Sequence, residues 1–139
     1  MSSFEIVSLS DLKEHEETER ERLDTLKSEI QARGAILLPV VADKETGMIL
    51  DGHHRTASLR ELGCARVPVV WVDYLSPRIV VRSWKDGSEI NKEDVAAALL
   101  RGEKLPPKTT RHFFLTDGGE LVHVSAALNP IEVSLEQLR

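Results

Sequence analysis

Six consecutive residues in the first half of the chain concentrate acidic, imidazole, guanidinium and hydroxyl groups. They are Asp51-Gly52-His53-His54-Arg55-Thr56, and they follow the apolar residues 48–50 directly. After them, Leu59 and Leu62 lie three residues apart on one helical face, and Gly63 is placed to end that helix. The sequence therefore predicts that the cluster lies on a turn between a strand and a helix, where α/β proteins usually carry functional groups.

The predicted turn is suited to binding an anion. Gly52 can adopt backbone conformations that are closed to other residues, and the backbone N–H groups of residues 53–55 would open the helix without intrahelical partners. Such a helix N-terminus attracts phosphate. Asp51 offers an oxygen ligand of the kind that Mg²⁺ uses together with substrate phosphates. The alternative is an ordinary Asp-Gly turn followed by two surface histidines; the density of functional groups favours the phosphate site.

A second polar cluster, Lys108-Thr109-Thr110-Arg111-His112, follows two prolines late in the chain. Because Pro106 and Pro107 cannot continue a helix, this segment is predicted to be extended or looped. Its cations and hydroxyls have the composition needed to complete a phosphate site with the first cluster. An ordinary basic loop is the alternative unless the two clusters meet.

Phosphoryl transfer also needs a base that accepts the proton of the nucleophile. Glu16, or another carboxylate near it, is a candidate, since it precedes a predicted helix. The alternative is that Glu14, Glu16 and Glu17 form a solvated acidic stretch that only favours the helix dipole.

Alternating and apolar segments predict the elements that would hold these residues. Strands are predicted at residues 4–9, 36–41, 48–50, 67–74 and 79–84, with Pro39 indicating an edge position or an irregular start. Helices are predicted at about 19–33, from a capping box at Thr18 and Glu21, after Gly52, and from Asn91 to Gly102. A hairpin spanning 113–124 and a short capped tail at 129–139 complete the chain.

Size and composition predict one α/β (α+β) domain covering residues 1–139, with a small mixed sheet and flanking helices. The chain has 139 residues, 41% hydrophobic and 29% charged, and no apolar run long enough for a membrane helix. Its start has no signal-peptide pattern, and its one cysteine, Cys64, cannot form an internal disulfide, so a cytoplasmic protein is expected. A net charge of −5 argues against a nucleic-acid-binding surface.

Three motifs in the same order resemble the free L-serine kinases of the ParB/sulfiredoxin superfamily. Residues 49–55, Ile-Leu-Asp-Gly-His-His-Arg, are similar to their signature; the pair His15-Glu16 matches a His-Glu pair before their first helix; residues 108–112 match a late Lys-Thr-Thr-Arg-His segment. The resemblance extends from about residue 9 to the C-terminus. The kinases are longer, with an extra segment before the late motif, so this chain looks like a short form.

The resemblance implies Mg²⁺-dependent transfer of a phosphoryl group from ADP or ATP to the hydroxyl of free L-serine, giving O-phospho-L-serine, as in serine metabolism and cysteine biosynthesis. Glu16 matches the general base, and Asp51 matches the second essential acid, which holds metal or orients the nucleophile. The nucleotide phosphates are expected at Gly52, His53, His54, Arg55 and Thr56. Serine or phosphoserine is expected at Trp84, Lys108, Thr109, Thr110, Arg111 and His112, although Trp84 could instead fill the core.

The wider superfamily supplies the competing functions. A sulfiredoxin-like reductase needs a cysteine within the turn, where this chain has His53, and Cys64 lies at the far end of the predicted helix. A ParB-like partition protein would need a following DNA-binding domain. A non-catalytic ParB-like nucleotide-binding or regulatory module is the alternative to the kinase, and it would have no need of Glu16. The sequence does not choose between ADP and ATP, nor does it set the oligomeric state.

Overall fold

The computed structural model describes residues 3–106 and 109–139, and within them nine strands form three sheets flanked by four α-helices. The strands are β1 (Glu5–Ser8), β2 (Ala35–Ile36), β3 (Val40–Asp43), β4 (Ile49–Asp51), β5 (Arg66–Val72), β6 (Ile79–Ser83), β7 (Thr110–Leu115), β8 (Leu121–His123) and β9 (Val133–Ser134). The helices are α1 (Arg20–Arg33), α2 (His53–Glu61), α3 (Lys92–Leu100) and α4 (Leu135–Leu138).

The main sheet has four strands in the order β1-β5-β3-β4 and is mixed, as predicted. Strands β3 and β5 run parallel, and β4 forms an antiparallel hairpin with β3. Because a parallel pair needs a crossover, α2 returns the chain from β4 to β5 and packs against α1. Leu59 of α2 is fully buried with Val40 and Ile49 of the sheet, so the strand-to-helix turn is supported on both sides.

A second sheet, in the order β6-β7-β8, is antiparallel throughout and was not distinguished from the main sheet in the sequence. Its inner face packs Val81 with Val41 and Leu50, and Val95 of α3 joins the same core. Val40 and Val41 thus belong to cores on opposite faces of β3. The short sheet of β2 and β9 ties the C-terminal segment to the end of α1.

Two local predictions were wrong. The segment 36–41 is not one strand: β2 ends at Ile36 and β3 begins at Val40, with Pro39, which has no N–H group to donate, in the break between them. Strand β3 is nevertheless interior to its sheet, so Pro39 marks an irregular start and not an edge.

The predicted capping box at Thr18 and Glu21 does not form, because α1 begins at Arg20 with Glu19 as its N-cap and no capping bond from the Glu19 side chain. The helix ends as predicted at Gly34, which has a left-handed conformation with φ of 72°. Among the described residues, no helix has the length and apolar character needed to cross a membrane.

Candidate active site

Strand β4 leads directly into the polar turn, and Gly52 makes that turn possible. Its φ is 110°, a region that side chains disfavour, and a Cβ atom there would lie 2.9 Å from Cγ2 of Val40. The first intrahelical bond of α2 joins the Thr56 N–H to the Gly52 carbonyl at 2.9 Å. The N–H groups of residues 53–55 precede that bond, so the helix itself does not use them. The predicted helix N-terminus, with N–H groups that the helix does not use, is therefore present at this turn.

The segment that carries Glu16 is fastened to the start of α2 by two histidine rings. Nε2 of His53 accepts a hydrogen bond from the His15 backbone N–H at 3.2 Å, and Nε2 of His54 accepts one from the Glu19 N–H at 3.1 Å. The His54 ring thus serves the N-terminus of α1, where the capping box was expected. Since Nε2 accepts in both rings, that nitrogen of each predicted phosphate ligand is already engaged.

Burial keeps the His53 ring neutral. Removal from water lowers the pKa of His53 most, nearby His15 lowers it further, and the result is about 3. A neutral ring is what the hydrogen bond from His15 requires, because a protonated imidazole has no lone pair with which to accept.

Glu16 is buried and receives three hydrogen bonds from the start of β7. The backbone N–H groups of Thr109 and Thr110 donate to its two oxygens at 3.3 Å and 3.1 Å, and the Thr110 hydroxyl donates to Oε2. His15 lies alongside, with Nε2 3.4 Å from Oε2 of Glu16 and 3.1 Å from the Thr110 hydroxyl oxygen. The first and last predicted motifs therefore meet, although 94 residues separate Glu16 from Thr110.

These contacts hold Glu16 ionised. Burial raises the pKa of this carboxyl, but the hydrogen bonds from His15 and Thr110 outweigh burial and bring the pKa to about 2. The backbone on either side is also fixed, because the Glu17 N–H donates to the Leu105 carbonyl at 2.8 Å. Glu16 is a charged acceptor at neutral pH.

Asp51, at the end of β4, and Arg55, in the first turn of α2, form a partly buried ion pair. Nη2 of Arg55 lies 2.9 Å from Oδ2 of Asp51 and also donates to the Pro39 carbonyl at 3.1 Å. The side chain of Arg55 is thus already oriented at the turn by two acceptors. The positive charge of that guanidinium partly neutralises the Asp51 carboxylate.

One pocket of about 550 Å³ joins these groups. Its lining includes Glu16, the turn 51–55, Trp84 from the second sheet and a face of α1. The carboxylates outnumber the guanidinium groups: the lining acids are Glu16, Glu17, Glu19, Glu21, Glu29 and Asp51, and the arginines are Arg22 and Arg55. A phosphate ligand in this pocket therefore needs cations in addition to the lining side chains.

Several predicted site residues lie elsewhere. The Thr56 hydroxyl donates to the Gly52 carbonyl at 2.9 Å, inside its own helix, and Thr56 is fully buried. His112 is only 1% exposed and packs against Tyr74 and His15, with ring centroids 5.8 Å from each. Burial lowers the pKa of His112 to about 3. Lys108 lies outside the described residues.

Trp84, which follows β6, lines the pocket, and Arg111 of β7 packs against it. Trp84 is 43% exposed, so it does not fill a core, and the Arg111 guanidinium stacks over its ring at 4.4 Å from the centroid. Such stacking holds a guanidinium in place while its N–H groups stay available in the plane of the guanidinium itself.

The face of α1 that lines the pocket was not predicted from the sequence. Arg22, Thr25, Leu26 and Glu29 line the pocket at helical spacing, while Leu23 and Ile30 of the same helix are buried. The i, i+3, i+4, i+7 spacing of that polar face was visible in the sequence, but a polar helical face is equally typical of solvent exposure.

Searches against known proteins find relatives by sequence, although no family model matches the chain. An ATP-dependent L-serine kinase of Staphylothermus marinus is 30% identical over 111 residues, which cover 70% of this chain and 44% of the relative. A ParB-like protein of Sulfolobus acidocaldarius is 33% identical, covering 60% and 43%. The ADP-dependent L-serine kinase of Thermococcus kodakarensis is 32% identical, covering 58% and 35%. The chain spans less than half the length of these relatives.

The fold agrees with this relationship. A free serine kinase solved in complex with AMP superimposes with a TM-score of 0.81 at 20% identity, covering 98% of this chain and 93% of the other. The predicted α/β fold, with a small mixed sheet and flanking helices, is thereby confirmed. The chain is a homologue of the ATP- and ADP-dependent L-serine kinases, and it has the fold of a free serine kinase over nearly its whole length.

Proposed function

We propose that the protein transfers the terminal phosphoryl group of ADP or ATP to the hydroxyl of free L-serine, giving O-phospho-L-serine. The observation that carries the proposal is one pocket in which a buried, ionised carboxylate, Glu16, lies beside the open N-terminus of α2. A phosphate site alone would serve many proteins. A hydroxyl nucleophile also requires a group that accepts its proton, and the Glu16 carboxylate is such a group.

Glu16 is proposed to accept the proton of the serine hydroxyl. The serine oxygen forms a bond to the terminal phosphorus of the donor, the bond to the bridging oxygen breaks, and the nucleotide leaves with one phosphate fewer. A carboxylate with a pKa of about 2 is a weak base. Because the transition state of phosphoryl transfer is loose, the proton can move late, and a well-placed weak base is sufficient.

The turn at Gly52 is proposed to hold the donor phosphates through the N–H groups of residues 53–55, with Arg55 beside them. Asp51 is the residue that would hold Mg²⁺, which commonly binds one or two carboxylates together with phosphate oxygens. The chemistry of the lining fits such an ion, because the excess of carboxylates must be offset before a polyphosphate can bind. The ion would supply charge neutralisation of the transferred group.

The two remaining walls are assigned to the two substrates. The face of α1 offers an apolar contact at Leu26 and polar groups at Arg22 and Thr25, so it suits the nucleoside. The opposite wall, with Trp84 and Thr110, would hold serine, and Arg111 stacks on Trp84 behind it.

A nucleotide-binding or regulatory module without turnover is the second candidate, and one observation favours it. Both oxygens of Glu16 already accept hydrogen bonds from Thr109 and Thr110, so this carboxylate could serve only to join β7 to the segment before α1. The two candidates differ in whether the charge of Glu16 matters for turnover.

The deciding experiment incubates the purified chain with L-serine, Mg²⁺ and either ADP or ATP, and measures O-phosphoserine together with AMP or ADP. We expect product from at least one donor, in equal amounts with the shortened nucleotide, and none when Mg²⁺ is replaced by EDTA. Nucleotide binding without product from either donor would contradict the kinase and support the regulatory module.

A further inference from the structure

His15, the residue before Glu16, has no part in the proposed transfer, although it is fully buried against that carboxylate. Its backbone is held on both sides, because its N–H donates to Nε2 of His53 at 3.2 Å and its carbonyl accepts from the Leu105 N–H at 2.7 Å. Neither bond involves the His15 ring. The chain is therefore fixed here without the imidazole, and the ring itself needs another explanation.

The contacts of the His15 ring identify which of its nitrogens carries a hydrogen. The Glu16 carboxylate is ionised, so the single hydrogen of the Thr110 hydroxyl points to Oε2 of Glu16. Nε2 of His15 lies 3.1 Å from the Thr110 hydroxyl oxygen and must donate to it, because that oxygen has no hydrogen left to give. Nε2 is also 3.4 Å from Oε2 of Glu16. His15 therefore donates from Nε2 to the Glu16–Thr110 pair.

The other nitrogen of the ring shows that stability alone does not account for this histidine. Nδ1 of His15 is buried and has no hydrogen-bond partner among the residues that the structure describes. The rings of His53 and His112 meet the His15 ring edge to face, with centroids 4.7 Å and 5.8 Å away. A buried nitrogen without a partner costs stability, and an apolar side chain of similar size would avoid that cost. Local costs of this kind are typical of functional residues.

The donors are divided unequally between the two oxygens of Glu16. Oε2 is contacted by the Thr110 N–H, the Thr110 hydroxyl and the His15 ring. In the described part of the chain, Oε1 accepts only from the Thr109 N–H, at 3.3 Å. Because a carboxylate oxygen has two lone pairs, Oε1 keeps capacity for a further hydrogen bond and Oε2 does not. Glu16 lines the pocket, so Oε1 is the oxygen that suits a serine hydroxyl.

We propose that His15 is a positioning residue: its Nε2–H, together with Thr110, holds Oε2 of Glu16, and Oε1 is the oxygen that takes the serine proton. The O–H bond of serine breaks, its electron pair stays on the oxygen that bonds to phosphorus, and the proton bonds to Oε1. The proton passes to solvent after the product leaves. This inference rests on the proposed function and adds a residue that acts on the reaction through Glu16.

Two substitutions separate the donor of His15 from the packing of its ring. The amide of His15→Gln reaches toward the position of Nε2, whereas the amide of His15→Asn ends near that of Nδ1. We expect kcat to fall about 10- to 100-fold in the Asn variant, which loses a hydrogen bond to a charged group, and only about threefold in the Gln variant. The serine KM and the nucleotide Kd should stay within about twofold in both variants, since the ring touches neither ligand.

A merely structural histidine predicts a different pattern, since both variants lose the imidazole and its packing. Equal losses of kcat in the two variants, or an undiminished kcat in His15→Asn, overturn the assignment. A rise in the serine KM with an unchanged kcat also contradicts it, because that result would place the ring in substrate binding.

Nitrogen NMR of the histidine rings tests the assigned donor without turnover. At neutral pH the wild-type signals of His15, identified by their absence from the spectrum of His15→Gln, should show a hydrogen on Nε2. A ring with a hydrogen on Nδ1 alone overturns the assignment. Wild-type protein that makes no O-phosphoserine overturns the proposed function and the role of Oε1 with it. Active wild-type protein with equal losses in the two variants overturns the role of His15 alone.

Discussion

Glu16 shows how one side chain can be both a structural acceptor and a candidate base. Its carboxylate joins the segment before α1 to β7, and its depressed pKa follows from the same hydrogen bonds. A low pKa weakens a base but guarantees the ionised form across the physiological range. The cost in basicity is tolerable only because phosphoryl transfer depends mainly on positioning and charge neutralisation.

Replacement of Glu16 by Gln should separate these roles. We expect turnover of serine to fall at least about 10²-fold, because the amide cannot take a proton, while the nucleotide Kd stays within about twofold. The amide NH₂ would also face one of the two N–H groups that now donate, so the unfolding free energy should fall by about 1–3 kcal/mol. Rates and Kd are therefore measured well below the Tm of the variant.

Glu17→Gln is the matched control, since Glu17 lines the same pocket but makes no contact with β7 in the hydrogen bonds described. It should keep nearly full turnover. An active Glu16→Gln variant would remove this residue from the proposed chemistry and leave it only the structural role.

Residue types in the sequence identified the turn and Glu16, but not how their side chains would be used. The two histidines of the turn accept hydrogen bonds at Nε2 from backbone N–H groups that lie 38 and 35 residues earlier in the chain. No periodicity in the sequence predicts such contacts. The inward rotation of the Thr56 hydroxyl is likewise decided by packing under the helix. The proposed phosphate contacts of these side chains stay predictions.

At the scale of elements, the strand-turn-helix unit depends on Gly52. Gly52→Ala should lower the unfolding free energy by about 1–3 kcal/mol, because the positive φ is strained for alanine and the new methyl group would meet Val40. Nucleotide affinity should fall as well, since any shift of the turn moves the N–H groups of residues 53–55. Chemical denaturation and nucleotide titration measure the two effects.

Gly34→Ala provides the comparison for this substitution. Gly34 also has a positive φ, 72°, but no atom lies within 4 Å of the position that a Cβ would take. Gly34→Ala should lower the free energy of unfolding by only about 1 kcal/mol and leave nucleotide binding unchanged. Equal effects of the two substitutions on nucleotide affinity would contradict the role assigned to the turn.

The three longer helices and most strands could be predicted because their signals are local. Asn91 caps α3 and Gly34 ends α1, as their residue types indicate. The break at Pro39 and the uncapped start of α1 departed from prediction for opposite reasons. Proline disrupted a run whose hydrophobicity suggested continuity, whereas the N-cap of α1 falls one residue after Thr18, at Glu19, whose backbone N–H donates to the His54 ring.

At the scale of the whole molecule, the sequence predicted a mixed sheet but not a second one. Strand β6 pairs with β7, which begins 27 residues after β6 ends, and this pairing brings Trp84 and Thr110 to the pocket. Partner choice between strands depends on which faces are buried together, and hydrophobic runs alone do not specify it. The meeting of the first and last motifs is thus a product of topology.

The same packing predicts how the stability of the molecule depends on pH. In the unfolded chain His112 titrates near pH 6.5, but burial lowers its pKa in the folded protein to about 3. Its contribution to the free energy of unfolding is therefore complete above about pH 6.5 and is lost as the pH falls toward 3. The slope is at most about 1.4 kcal/mol per pH unit for one such group. Glu16 acts in the same direction below its model-peptide value, as the pH falls toward 2.

Replacement of His112 by Leu tests the buried histidine directly. Urea denaturation at pH 7.5, 6.0 and 5.0 should show the variant losing less stability than the wild type as the pH falls, because leucine binds no proton. Val81→Ala is the control. Val81 is buried and pairs with His112 across β6 and β7, so the substitution perturbs the same core. The free energy of unfolding that it removes should be independent of pH. Parallel curves for wild type and His112→Leu would show that this ring does not stay neutral in the folded protein.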